Sequence, residues 1–261
     1  MTPQSTQRVN YDLIADLYDE PLRDHQADLY LSKFLYDLPQ NGAPVLRILD
    51  MGCGTGKQLA SNKRKYPSIT LVGVDKYRAM LKKAKKRCSS VSLVQADNSS
   101  MPFSDSTFDY ITDQFSYSHV LDKNRLFPDI YRILKSGGRY AMTHIDPWSM
   151  PNWLIYKYFP ESRQCDFNDF LTADNFMDRM MQAGFVNTKV TREFKNEMIS
   201  LSELLDYASQ RHRTSQLMII SDQSYENGLA TIREQKKKFG DSYKMESELC
   251  LITITSEKIC L

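Results

Sequence analysis

The chain lacks any apolar run approaching the roughly 18 residues that a membrane-crossing helix needs, so no helical insertion into a bilayer is expected. Its opening residues, MTPQSTQRVNYDLIADLYDE, contain no apolar block of the kind a secretory signal carries. Cysteine is scarce and scattered. The five thiols (Cys53, Cys88, Cys165, Cys250, Cys260) are odd in number and form no C-x-x-C pair, which argues against a disulfide framework and for reduced thiols in a cytoplasmic protein. Histidine is rarer still, at four residues, and no two have ligand spacing, so no metal site is expected. Charge of one sign is also missing: the formal balance is only +2, which gives no overall reason to expect a nucleic-acid or membrane-surface partner. There is no internal repeat and no low-complexity linker.

What the chain does have is alternation. VLRILDMG (Val45 to Gly52), ITLVGVD (Ile69 to Asp75), VSLVQAD (Val91 to Asp97), FDYITDQF (Phe108 to Phe115) and GRYAMTHI (Gly138 to Ile145) read as strands, with helical patterns between them. Such alternation predicts βαβ units on a parallel sheet. In NRLFPDIYRILKSGG the pattern predicts a helix whose regular part begins around Pro128 and which stops at Gly137-Gly138. After Asp146 the rhythm changes. DPWSMPNWLIYKYFPES reads as a loop or broken helix, TADNFMDRMMQAGF as a helix with Thr172 as N-cap and Gly184 at its end, and VNTKVTREF as a strand. Two further helices, Ser200 to Arg213 and Tyr225 to Phe239, precede a last strand at Ser247 to Lys258.

The stretch LDMGCGTGKQ places Gly52, Gly54 and Gly56 directly after the first strand and before a helix. Glycine permits positive φ and close approach of a ligand, and a helix N-terminus favours anions. The pattern is not G-x-G-x-x-G, because Lys57 stands where the third glycine would fall. Nor is it a P-loop: only three residues separate Gly52 from Gly56, and Gln58 follows Lys57. Asp75 closes the second strand, 19 residues after Gly56, where a carboxylate suits the two hydroxyls of a ribose.

Together ILDMGCGTG, GVD, QADNSSMPFSDSTFDYI and YRILKSGGRYAMT resemble the class I S-adenosylmethionine-dependent methyltransferases, in particular the small-molecule subgroup that contains the ubiquinone and menaquinone enzymes. YDLIADLYDE is similar to the subgroup's N-terminal helix, and the resemblance runs from about Asn10 to Asp146. It implies a Rossmann-like α/β fold: a seven-stranded, mostly parallel sheet of order 3-2-1-4-5-7-6, helices on both faces, and a small helical cap insertion. One domain over 1–261 is then expected, with N-terminal helices or a lid over 1–40, a cofactor-binding core over 41–146, and substrate-cap insertions at 147–171 and 197–246.

The implied cofactor is S-adenosylmethionine. By the resemblance Asp50, Gly52, Cys53, Gly54 and Gly56 border its methionine part, while Asp75, with Lys76 beside it, holds the ribose. Asp97 and Asn98 meet the adenine. Asp113, Gln114 and Phe115 lie where cofactor and acceptor meet, and Tyr11 and Tyr18 close over the cofactor. Methyl transfer is an in-line displacement that needs alignment, removal of water and, for a hydroxyl or protonated amine, a proton acceptor. His144 and His119 follow the fifth and fourth strands and are the candidate bases or substrate contacts. Five aromatics fall within twelve residues, Trp148, Trp153, Tyr156, Tyr158 and Phe159. Of these Trp148, Trp153 and Tyr156, with Tyr117 and Tyr207, are the candidate acceptor contacts, although such rings equally serve packing.

The leading expectation is O- or N-methylation of a small, partly aromatic or amphipathic metabolite. An RNA or protein acceptor and a non-catalytic binding protein remain as alternatives. Lys76 to Arg87 holds seven basic residues in twelve, which could track phosphates but more often forms a solvated helix face. The (N/D)-P-P-(Y/F) signature of nucleic-acid amino-methyltransferases is absent, the corresponding place reading DQFS, so a nucleic-acid acceptor is not the leading expectation. The pattern gives no oligomeric state.

Overall fold

The computed structural model describes residues 9–18, 28–38 and 45–259. Of the segments expected from sequence, 1–8, 19–27, 39–44 and Cys260 lie outside the described residues. Seven strands form one sheet in the order β3-β2-β1-β4-β5-β7-β6. They are β1 (Arg47–Met51), β2 (Thr70–Asp75), β3 (Ser92–Gln95), β4 (Phe108–Gln114), β5 (Leu134–Ile145), β6 (Phe185–Ser200) and β7 (Lys244–Lys258). The pairs β1–β2, β1–β4, β2–β3 and β4–β5 are parallel, and the sheet as a whole is mostly parallel with helices packed on it. The order reverses at β1, the point where open α/β sheets gather ligand-binding loops at strand C-termini.

The chain divides into two compact units. One comprises Tyr11–His144, Ala173–Thr191 and Thr253–Leu261, and the other is built mainly from Ile145–Thr172 and Arg192–Ile252. In the first, α1 (Leu29–Asp37), α2 (Lys57–Lys65) and α3 (Arg78–Arg87) bury Leu31, Phe34, Leu59 and Ala84, the first three against Ile48, Leu71 and Tyr110 of the sheet. Their apolar residues recur at helical spacing while Lys82, Lys85, Lys86 and Arg87 face solvent, so the basic run of α3 is largely an exposed helix face. The helix α4 (Lys123–Ile133) and the helix α7 (Ala173–Gln182) complete this unit; Phe127 and Phe176 meet edge-to-face with ring centroids 6.1 Å apart.

Two departures from the sequence reading concern α4. It starts at Lys123, not near Pro128, because the Asp122 side chain accepts from the Asn124 backbone N–H and caps it. Pro128 then sits one and a half turns in, at the cost of one i→i−4 bond. The helix also ends at Ile133, before the two glycines, since Leu134 already pairs with Phe108 in a parallel ladder carrying an irregularity between Phe108 and Tyr110. The segment Tyr11 to Tyr18, expected as part of a helix, consists of turns. Asp12 there accepts from the Ala79 N–H at 2.7 Å, fixing the segment on the first turn of α3.

The second unit carries five α-helices beside its stretches of β6 and β7. α5 (Leu154–Tyr158), α6 (Pro160–Asp169), α8 (Leu201–Ser209), α9 (Ser215–Met218) and α10 (Asp222–Phe239) enclose a core of Leu154, Phe159, Leu204, Leu217, Leu229 and Ile232. The Pro-rich aromatic stretch is a broken helix: Pro160 opens α6 at its first turn, where no N–H is needed. α8 begins with a full capping box between Ser200 and Glu203.

Candidate functional site

The C-terminal ends of β1, β2 and β4 converge on the glycine turn. Gly52, Gly54 and Gly56 all take left-handed backbone, with φ of 63°, 51° and 77°. They differ in what surrounds them. A Cβ on Gly52 would lie 2.2 Å from that of Ser116, and one on Gly56 would lie 2.9 Å from Ala84, so both are locked by neighbouring backbone and side chains. A Cβ on Gly54 would meet nothing within 4 Å, so the turn faces open space on that side of the residue. Cys53 donates its N–H to the Val74 carbonyl at 2.8 Å and buries its thiol, whose pKa burial pushes well up.

Asp75 turns its carboxylate back on this turn. Its two oxygens accept from the N–H groups of Gly54 and Tyr77, each at 2.8 Å, and the side chain is buried. Desolvation raises its pKa despite those bonds. Asp50, near the end of β1, is buried, and its pKa rises well above its usual value through burial first and then through the charges of Asp28, Asp113 and Asp75. Asp113, at the end of β4, is 1% exposed and is pushed up to about 6 by burial. One of its oxygens accepts from the Ser116 hydroxyl at 2.7 Å and the Ser116 N–H at 3.1 Å. Among the described residues neither Asp50 Oδ2 nor Asp113 Oδ2 has any hydrogen-bond partner. Three buried carboxylates whose pKa values burial raises, that of Asp50 pushed further by its neighbours and two of them with an orphaned oxygen, make a site that electrostatics favours filling with a cation bearing N–H donors.

The rim is aromatic. The ring of Tyr11 meets Tyr18, Tyr77 and His119 at centroid distances of 5.5, 5.4 and 5.1 Å, and a 3.0 Å hydrogen bond joins its hydroxyl to His119 Nε2. Phe115 is 45% exposed with φ of 61°, a conformation that an aromatic residue rarely adopts. Its N–H is held by the Thr143 carbonyl at 2.8 Å. Gln114 precedes it as the last residue of β4. Beyond β3, Asp97 accepts from the Ser99 N–H and hydroxyl and pairs with Lys76 at 3.2 Å. Burial works to raise its pKa, but these partners outweigh it and hold the carboxyl below its usual value. Asn98 donates to the Ser116 hydroxyl at 2.9 Å, so a chain of hydrogen bonds runs from Asn98 through Ser116 to Asp113.

The sequence reading missed Ser116 and Tyr77. Ser116 sits two residues beyond the strand end, after the positive φ of Phe115, and no local pattern in the sequence marks it. Tyr77 follows the Asp75-Lys76 pair and opens α3. The structure packs Tyr117 and His144 away from solvent, at 0% and 2% exposure, with rings stacked at 5.9 Å and Phe176 against both. His119 is therefore the histidine gathered with the rim aromatics. The remaining sequence candidates lie in the second unit. Trp148 is half-exposed and stacks on Phe167 at 4.3 Å; Trp153 meets Tyr156 edge-to-face; Tyr156 is buried and donates to Asp166 at 2.6 Å; Tyr207 lies under the Arg213 guanidinium.

Comparison with known proteins supplies the family. The methyltransferase domain profile matches residues 48–138, which hold the glycine turn and the carboxylates at the ends of β1, β2 and β4. A demethylmenaquinone methyltransferase of Anoxybacillus flavithermus is 31% identical over 173 residues, covering 55% of this chain and 71% of the relative. Another, from Thermus thermophilus, is 34% identical over 140 residues, or 51% of this chain and 63% of that one. Among solved structures, Haemonchus contortus phosphoethanolamine N-methyltransferase 2 in complex with S-adenosylmethionine shares the fold with a TM-score of 0.58 at 19% identity, covering 95% of this chain but only 57% of that one. Fold, turn geometry and these likenesses agree: the chain belongs to the class I S-adenosylmethionine-dependent methyltransferases, a family of enzymes acting with S-adenosylmethionine as methyl donor.

Proposed function

We propose that this protein transfers the methyl group of S-adenosylmethionine to oxygen or nitrogen of a small-molecule metabolite with a flat or apolar body. The observation that carries the reading is the pair of buried carboxylate oxygens, Asp50 Oδ2 and Asp113 Oδ2, left without partners beside the left-handed glycine turn. The amino-acid part of the cofactor bears an ammonium that fits that need, and the open backbone at Gly54 suits a ligand at van der Waals distance. When bound, S-adenosylmethionine supplies an electrophilic methyl on a sulfonium that leaves as a neutral thioether.

The chain's own residues divide the remaining work. Asp50 and Asp113 hold the cationic end, and Ser116 fixes the Asp113 carboxylate through two hydrogen bonds. Asp75, oriented by the Gly54 and Tyr77 amides, accepts from the ribose hydroxyls with its remaining lone pairs. Asp97, its charge kept by Lys76 and Ser99, accepts from the adenine amine, with Asn98 and Lys76 alongside. Phe115, Gln114 and the Gly52-Cys53 backbone border the methionine part, while Tyr11 and Tyr18 shield the site from water. His119 takes the acceptor's proton at Nε2, relayed through the Tyr11 hydroxyl bonded to it. His144, buried against Tyr117 and Phe176, keeps the β5 end rigid.

The printed names of these relatives put their acceptors among small molecules, as does that of the Haemonchus contortus structure. The basic side chains of α3 point largely to solvent on a helix that has no adjoining nucleic-acid module in the sequence. The test is to incubate the full chain with S-adenosylmethionine carrying a deuterated methyl and a fractionated metabolite extract, then follow the label by mass spectrometry and NMR. Label in a small molecule, with a methyl resonance typical of attachment to oxygen or nitrogen, is the expected result. A label on carbon would move the acceptor atom, and label confined to RNA or protein would sink the small-molecule reading.

A further inference from the structure

Five arginines of the chain pair with carboxylates. Arg132 binds Asp105 and Asp129, Arg139 binds Asp37 and Glu257, Arg192 binds Asp146, Arg211 binds Asp222, and Arg213 lies 3.7 Å from Asp206. Arg163, on α6, is different. Its guanidinium carbon lies over the rings of Tyr156 at 5.9 Å and Phe167 at 5.0 Å, and its Nε is shielded from solvent with no hydrogen-bond partner among the described residues. Asp166, a turn of helix onward, is already engaged by the Tyr156 hydroxyl and by the Gln216 amide.

The surroundings are built rather than incidental. Phe167 carries the indole of Trp148 stacked on it at 4.3 Å with the planes 16° apart. Trp148 is itself positioned by Asp146, which accepts from the Trp148 N–H, the Ser149 hydroxyl and Arg192. Trp153 packs edge-to-face on Tyr156 at 4.9 Å. The result is a cation on an aromatic floor, with the outermost ring, that of Trp148, 44% exposed. A guanidinium carries its N–H donors in its own plane, so rings against its faces leave those donors free for the carboxylate or phosphate oxygens that such a fork recognises.

We propose that Arg163 and the rings of Trp148, Tyr156 and Phe167 form a binding site for an oxyanion, a carboxylate or phosphate, carried on a flat apolar body. The proposal goes beyond the methyltransferase reading and concerns the second unit by itself. Neutral molecules of the same shape satisfy the rings but leave the guanidinium unpaired, so the site discriminates by charge.

Both tryptophans of the chain lie in this cluster, so its occupancy can be read by their fluorescence. Benzoate, phenyl phosphate and benzyl alcohol are titrated into the full chain in the presence of S-adenosylhomocysteine. Saturable change with one or both acids and none with benzyl alcohol is expected, and which acid binds tighter separates carboxylate from phosphate. Arg163→Gln should weaken the acid by about tenfold or more, and Arg163→Lys by less, because it keeps the charge and loses the fork. Equal curves for acid and alcohol, an unchanged affinity in both variants, or no saturation with either acid would overturn the proposal. S-adenosylhomocysteine binding, measured separately by calorimetry, reports on folding of each variant. Its absence in the parent chain would defeat the methyltransferase reading while leaving the anion result to stand on its own.

Discussion

Replacing Asp113 by asparagine should change stability in a pH-dependent way that few other substitutions would reproduce. Burial raises this carboxyl from 3.8 to about 6, so in the folded chain its charged form is disfavoured. The folded state therefore holds a proton that the unfolded state has released between those two values. The linkage sign follows: the charge costs the fold nothing below about pH 4, where both states are protonated, and its full cost is present above about pH 6. Each unit is worth about 1.4 kcal/mol, so the shift amounts to about 3 kcal/mol at pH 8. Asparagine keeps an oxygen for the two bonds from Ser116, at 2.7 and 3.1 Å, and removes the charge. Its new N–H₂ carries a fixed burial cost that cancels when two pH values are compared. Urea denaturation of parent and variant at pH 4 and pH 8 should thus show the variant gaining about 2–3 kcal/mol relative to the parent on going to the higher pH. Over the same change its affinity for S-adenosylhomocysteine at pH 8 should fall by about tenfold or more, since the ammonium loses a charged partner. A stability difference independent of pH would refute the reasoning.

Three further substitutions separate the roles of the turn and rim. Gly52→Ala places a methyl 2.2 Å from Ser116 Cβ and should cost more than about 2 kcal/mol by thermal or urea denaturation, whereas Gly54→Ala, with open space around it, should cost about 1 kcal/mol and act mainly on cofactor affinity. Asp75→Ala removes the acceptor of the Gly54 and Tyr77 amides, so both stability and calorimetric cofactor affinity should fall by about 1–3 kcal/mol; loss of only one would separate fold from binding. Tyr11→Phe deletes the hydroxyl bonded to His119 and should lower turnover by about tenfold with little change in cofactor affinity, a split that an unchanged rate would contradict.

The sheet and its glycine turn were legible because their residues carry local signals. Asp75 closes β2 and Gly52, Gly54 and Gly56 take the positive φ that glycine in that place implies. The parts that were not legible depend on partners far along the chain. Nothing local shows that Asp75 would spend two of its acceptor positions on Gly54 and Tyr77, or that Ser116 would join Asn98 to Asp113. Pro128 misplaces the start of α4 because the capping signal of Asp122 outweighs the loss of one hydrogen bond. The strand β5 begins at Leu134 because pairing with Phe108 overrides the helical spacing that runs through Lys135. Tyr117 and His144 illustrate a further limit: position after a strand end marks a residue as near the crevice, but the contact of both rings with Phe176 depends on a helix far along the chain.

The claim that the orphaned carboxylates Asp50 and Asp113 receive the amino-acid end of the cofactor is tested most directly by calorimetry on the full chain. S-adenosylmethionine would be compared with 5′-methylthioadenosine, which lacks that end, in buffers of different ionisation enthalpy. Micromolar binding of the first, at least about thirtyfold weaker binding of the second, and net proton release near pH 6 on binding the first alone are the expected results. Equal affinities, or binding of neither, would contradict the account.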